Sequence, residues 1–85
     1  MRNAVVADRA PDADRVTAYD EAHFALYLRL LDASRADANP KEMCRTILGR
    51  DPDLDPEGLN SLNSHLNRAR WMSENGYKDL LRSRE

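Results

Sequence analysis

Asp51, Asp53, Asp55 and Glu57 set four carboxylates into one short stretch, Asp51-Pro52-Asp53-Leu54-Asp55-Pro56-Glu57, with no Lys or Arg among them. The alternation imitates the opening of a calcium loop. Such a loop needs a glycine at its sixth position and a glutamate at its twelfth. Here the glycine falls at Gly58 and the twelfth position holds Leu62, so calcium is excluded. A helix-patterned run follows, Leu59-Asn60-Ser61-Leu62-Asn63-Ser64-His65-Leu66-Asn67. Its polar side carries Asn60, Asn63 and Asn67, and asparagine carboxamides can pair with adenine edges in a major groove. Affinity for DNA, however, comes largely from Lys and Arg neutralising phosphates. A reading helix with carboxylates at its mouth is expected to repel DNA. Asp51, Asp53, Asp55 and Glu57 therefore read as an acidic surface opposing DNA binding, and no DNA partner is expected. Like charges this close repel, so Asp53→Asn and Asp55→Asn are expected to leave the melting temperature unchanged or higher.

No other constellation carries chemistry. His23 and His65 lie far apart, and neither joins a nucleophile motif. There is no Cys/His spacing for zinc and no glycine-rich phosphate loop. An enzyme is not expected, and neither is a cofactor or a metal. The single cysteine, Cys44, sits between Met43 and Ile47 in a helical pattern and reads as a small buried thiol. A lone cysteine fits a reducing compartment, so the expected location is cytoplasmic. No apolar run approaches membrane-spanning length, and no membrane partner is expected.

The elements that must position these residues are helices. The chain has 85 residues, room for one small domain. Hydrophobic residues make up 41% and charged residues 33%, sufficient for a compact helical core. The net charge of -2 lacks the basic excess usual in a nucleic-acid-binding domain. Residues 1–17 are rich in Ala, Asp and Arg without an apolar stripe and read as a flexible tail, leaving 18–85 as the folded domain. A first helix is predicted from Tyr19 to Ala33, with Phe24, Tyr27, Leu28 and Leu31 as its core stripe. Leu26 and Leu30 fall on a second line. Either the helix is buried on two sides, or that line faces a partner. A second helix opens at Asn39-Pro40, with Asn39 as cap, and stops at Gly49. Its stripe is Met43, Ile47 and Leu48. The connection Arg50–Pro56 exceeds an ordinary helix-turn-helix turn, with Leu54 expected to plug the core and Asp55-Pro56 to open the next helix. A third helix is predicted from Glu57 to Asn75, with Leu59, Leu62, Leu66, Ala69 and Met72 inward. Tyr77, Leu80 and Leu81 suggest a short last helix folding back on the core. The expected fold is all-α, a three-helix helix-turn-helix variant with an extended turn and a short C-terminal helix.

Leu28-Arg29-Leu30-Leu31, the run Pro40-Lys41-Glu42-Met43-Cys44-Arg45-Thr46-Ile47-Leu48-Gly49, and the ending Arg68-Ala69-Arg70-Trp71-Met72 with Gly76-Tyr77-Lys78-Asp79-Leu80-Leu81 resemble one family. It is the extended-turn helix-turn-helix domain of regulators on proteobacterial conjugative elements. That family serves both activators, which bind DNA through a basic face, and antiactivators. With Asp53, Asp55 and Glu57 where cations would be expected, this acidic chain is similar to the antiactivator branch. The resemblance implies contact with the N-terminal domain of a transcriptional activator and a block on excision and transfer genes. A LuxR-type quorum-sensing regulator is a second candidate partner. The contact surface is expected at Leu26, Leu30, Trp71 and Tyr77, an apolar line beside two aromatic anchors. The alternatives are a DNA-binding regulator or excisionase-like accessory factor, and the antitoxin or adaptor half of another pair.

Overall fold

The computed structural model describes residues 6–76, and within them every regular element is a helix. The elements are α1 (Ala18–Ala22), α2 (Phe24–Arg35), α3 (Pro40–Met43) and α4 (Gly58–Trp71). α3 runs on into a π-helical turn, Cys44–Leu48, and α4 into another, Met72–Gly76. The all-α, helix-turn-helix-like arrangement with a long turn is the one the periodicity predicts. Among the described residues no helix is long and apolar enough to cross a membrane.

The single helix predicted from Tyr19 to Ala33 is divided at His23. Thr17 and Asp20 form a reciprocal capping box that starts α1. The Nδ1–H of His23 then donates to the Tyr19 carbonyl at 2.7 Å. That carbonyl is the one a continuous helix would offer to the backbone N–H of His23. The N–H turns instead to the Asp20 carbonyl at 3.1 Å. A side chain competing for a backbone acceptor is what ends α1 after one turn.

α2 is the central element, buried on two sides. Leu30 packs with Met43 and Leu62, flanked by Leu26, Ala33, Ile47, Leu48, Leu59 and Leu66. Tyr27 packs with Ala69 and Met72, flanked by Val16, Phe24, Leu31 and Trp71. Leu28, assigned to the core stripe from sequence, is 62% exposed. Two clusters set about 100° apart share this helix, and Leu28 lies outside both.

α3 begins as its sequence prescribes. Asn39 accepts from the N–H groups of Lys41 and Glu42, and Pro40 sits in the first turn. It ends at Gly49, whose φ of 70° is left-handed and favours glycine. The extended turn then folds on itself. The Asp51 carbonyl accepts from Leu54 at 3.1 Å and from Asp55 at 2.7 Å. Leu54, expected to plug the core, is 84% exposed. Lys41 and Arg45 draw Asp53 toward α3, so its neighbour Leu54 points away. α4 starts at Gly58, with Glu57 in the cap position making no side-chain cap bond. Asp55, expected to be the cap, instead accepts from the Glu57 N–H at 3.1 Å. A Cβ on Gly58 would stand 3.0 Å from the Cys44 sulfur, so this glycine lets the start of α4 lie close on the π-helical turn that follows α3.

Candidate nucleic-acid interface

α4 presents a different chemistry on each side. Leu62 and Ala69 face the core. A second flank, Ser61, Ser64, His65 and Arg68, faces the N-terminal segment. Asn60, Asn63, Asn67 and Arg70 are exposed. At 100° per residue these four fall within an arc of about 80°, one row along the helix.

The buried flank is what holds α4 in place. The Arg68 guanidinium donates to both oxygens of the Asp20 carboxylate, at 3.0 Å from Nε and 2.7 Å from Nη2. Both residues are buried, Asp20 completely. Asp20 also accepts from the Tyr27 hydroxyl at 2.7 Å and from the N–H and hydroxyl of Thr17. Burial alone would raise the Asp20 pKa. The Arg68 guanidinium, the Thr17 amide and the Tyr27 hydroxyl outweigh it and bring the value down to about 2. Arg68 also donates to the carbonyls of Ala13 and Arg15, and its Cζ lies 4.0 Å over the Trp71 ring.

A second network runs through His65. Its Nδ1–H donates to the Ser61 carbonyl at 2.7 Å, which leaves Nε2 to accept from the Tyr19 hydroxyl at 2.6 Å. Tyr19 in turn accepts from the Ala7 N–H at 3.0 Å and stacks on His23. Burial lowers the His65 pKa, although the bond to Ser61 opposes it. Ala10 donates to Ser64 at 2.9 Å. Residues 7–15, expected as part of a flexible tail, thus carry backbone bonds to α1 and α4. These partners are 12 to 55 residues apart in sequence, too far for any local pattern to pair them.

The exposed row borders a groove of about 510 Å³ between α4 and the segment from Arg9 to Asp14. Asn60, Asn63 and Asn67 line one wall, and Arg9 lines the other together with Asp12 and Asp14. Asn63 has no hydrogen-bond partner among the described residues, and Asn60 donates to Glu57 at 3.2 Å. Arg70 reaches only the neutral Asn67 and Ser34 oxygens, at 3.5 and 3.4 Å. Neither Arg9 nor Arg70 has a carboxylate partner among the described residues. The arrangement offers carboxamides for base edges and two uncommitted guanidiniums for phosphates.

The carboxylates opposing DNA in the sequence reading are largely committed elsewhere. Asp53 pairs with Lys41 at 3.2 Å and Arg45 at 2.9 Å, and Asp51 with Arg45 at 3.5 Å. Asp55 pairs with Arg50 at 2.6 Å, and Arg50 also reaches Asp8 at 2.9 Å. Hydrogen bonds from Lys41 hold the Asp53 carboxyl below its ordinary pKa, and Arg50 does the same for Asp55. Only Glu57 lacks a cation among the described residues. Counting charges within the stretch missed cations supplied from outside it. The legible signal was Lys41 and Arg45, four apart on one helical face that ends at the turn.

Two residues of the surface expected for a protein partner lie on the core side of α2. Leu30 has no exposed area, and Leu26 packs into the same cluster, because the second line of α2 is core. Trp71 is half-buried against the other cluster, with Arg68 over its ring. Tyr77 lies outside the described residues.

A search of curated proteins finds no match. A family model described as "T6SS, Transcription factor, DNA binding domain" matches residues 2–82. This is a family of regulator domains rather than of enzymes, and it overturns the expectation that no DNA is met. The physical reason for the error is the internal pairing of Asp51, Asp53 and Asp55, which removes most of the repulsion inferred from them. With nearly its whole length matched, the chain belongs to this family of transcription-factor DNA-binding domains.

Proposed function

We propose that this chain reads DNA for a transcriptional regulator through the exposed row of α4. Asn60, Asn63 and Asn67 would meet base edges, while Arg70 and Arg9 would hold phosphates on either side. The observation that carries this reading is the row itself: three carboxamides and a guanidinium on one exposed arc, with no carboxylate bound to either flanking arginine. The buried flank supports it, because Asp20, Arg68 and His65 fix the orientation of α4 from behind. A reading helix must be held rigidly for its side chains to distinguish bases.

Selection of bound duplexes from a random pool at low salt, followed by mobility shift, tests the reading. Phosphate-driven binding is strongest under those conditions. Asn63→Ala is expected to relax preference at one base position by about 1–3 kcal/mol. Arg70→Ala is expected to weaken binding to all sequences alike and to lower the salt slope by about one unit. If no duplex is retained at low salt, the proposal fails.

A further inference from the structure

One side of the asparagine row faces other chain rather than open solvent. Residues 9–14 form the far wall of the groove that Asn60, Asn63 and Asn67 line. No regular element holds this stretch. Its backbone is tied down instead at four points. Ala7 donates to the Tyr19 hydroxyl at 3.0 Å and Ala10 to Ser64 at 2.9 Å, while the carbonyls of Ala13 and Arg15 accept from Arg68. An ion pair between Asp8 and Arg50, at 2.9 Å and largely exposed on the Asp8 side, adds to these ties.

Size and charge both set the docked stretch against a duplex. An α-helix with its side chains is about 10–12 Å across, and the major groove of B-DNA is about 12 Å wide. α4 alone fills that width, so a second stretch of chain lying against its reading row cannot enter beside it. The stretch also places Asp12 and Asp14 on the groove wall. Both are exposed, and phosphates on that side would meet them as like charges. The Ala13 carbonyl meanwhile occupies Nη1 of Arg68. Lifting the stretch withdraws two carboxylates from the groove and frees that donor, with Nε and Nη2 of Arg68 still held on Asp20. Arg9 travels with the stretch. A free arm can turn Arg9 toward a phosphate and Asp12 and Asp14 away from it, which a docked one cannot.

We propose that residues 7–15 are an autoinhibitory strap. Docked, they close the reading row of α4, and DNA binds the chain whose strap has lifted. The proposal rests on the DNA reading of that row. Apparent affinity then scales with the fraction of chains in the lifted state.

A disulfide lock and a release variant of the full chain test it, by mobility shift at low salt on duplexes selected from a random pool. The 2.9 Å bond between the Ala10 nitrogen and the Ser64 hydroxyl brings these two positions within disulfide reach. Ala10→Cys with Ser64→Cys should therefore close a bond on mild oxidation, and the natural Cys44 is buried. Duplex binding should fall about tenfold or more in the locked form and return on reduction. Ala7→Pro with Ala10→Pro removes both backbone donors without changing charge. It should tighten binding several-fold while the helical circular dichroism persists. Failure of the lock to form would mean that the stretch is not docked in solution. Equal binding by the locked and reduced forms, or by the release variant and the natural chain, would mean that it does not cover the row. Each of these results overturns the strap and leaves the DNA reading intact. Absence of binding in every form, the release variant included, overturns the DNA reading and the strap with it. Binding by the release variant alone supports both.

Discussion

Asp20 and Arg68 show how one buried pair joins four parts of a small domain. The carboxylate touches Thr17, Tyr27 and Arg68, and the guanidinium reaches the carbonyls of Ala13 and Arg15. Removing one partner leaves the other charged and buried, which costs about 3–5 kcal/mol. Arg68→Ala should therefore remove most of the stability of an 85-residue domain, seen as a large fall in the urea midpoint. Asp20→Asn combined with Arg68→Met should restore part of it, since neither charge is then stranded. The two networks also set the response to acid. His65 has a folded pKa below its unfolded value, so its contribution is complete above about pH 6.5 and declines as pH falls below that. Asp20 is depressed from 3.8 to about 2, so its contribution, about 2 kcal/mol, holds above pH 4 and is lost between pH 4 and 2. Stability against pH should fall in two steps, and His65→Gln should remove only the upper one. Asp37 sits at φ 57°, just past the end of α2, where a side chain is strained. Asp37→Gly should raise the melting temperature, by a gain of up to about 1 kcal/mol.

Among the elements, the caps and stops were readable because each is a local event. Asn39-Pro40 and Gly49 delimit α3 through neighbours one to three residues away. The division of the first helix at His23 was not readable, because it depends on which of two donors captures the Tyr19 carbonyl. The two-sided burial of α2 was legible only as an alternative. Leu26 and Leu30 fit a core line and a partner line equally well until α3 and α4 are placed against them. The extended turn is the clearest reversal. Its carboxylates read as mutual repulsion, yet Lys41, Arg45 and Arg50 bind them in pairs. Asp53→Asn and Asp55→Asn should therefore lower the melting temperature modestly rather than raise it, with Asp55→Asn the larger because its pair with Arg50 is less exposed than the pairs of Asp53. High salt should shrink both differences, since exposed pairs are screened.

At the scale of the molecule, helix content and class were legible from apolar spacing, and the site only in part. The asparagine row was visible as a row. Its electrostatic setting was not, since that depends on where Arg9, Arg50 and Arg70 arrive in space. The same gap explains why residues 7–15 read as a tail: Ala7, Ala10, Ala13 and Arg15 bond through their own backbone amides and carbonyls, which leave no imprint on side-chain pattern. Trp71, the sole tryptophan, lies directly beneath Arg68. The protein thus carries its own fluorophore against the charge that ties segment to helix. Release of that segment should move the emission of Trp71 toward the red before helical signal is lost. An acid titration followed by fluorescence would then resolve the first stage of unfolding as a separate optical event, without any label.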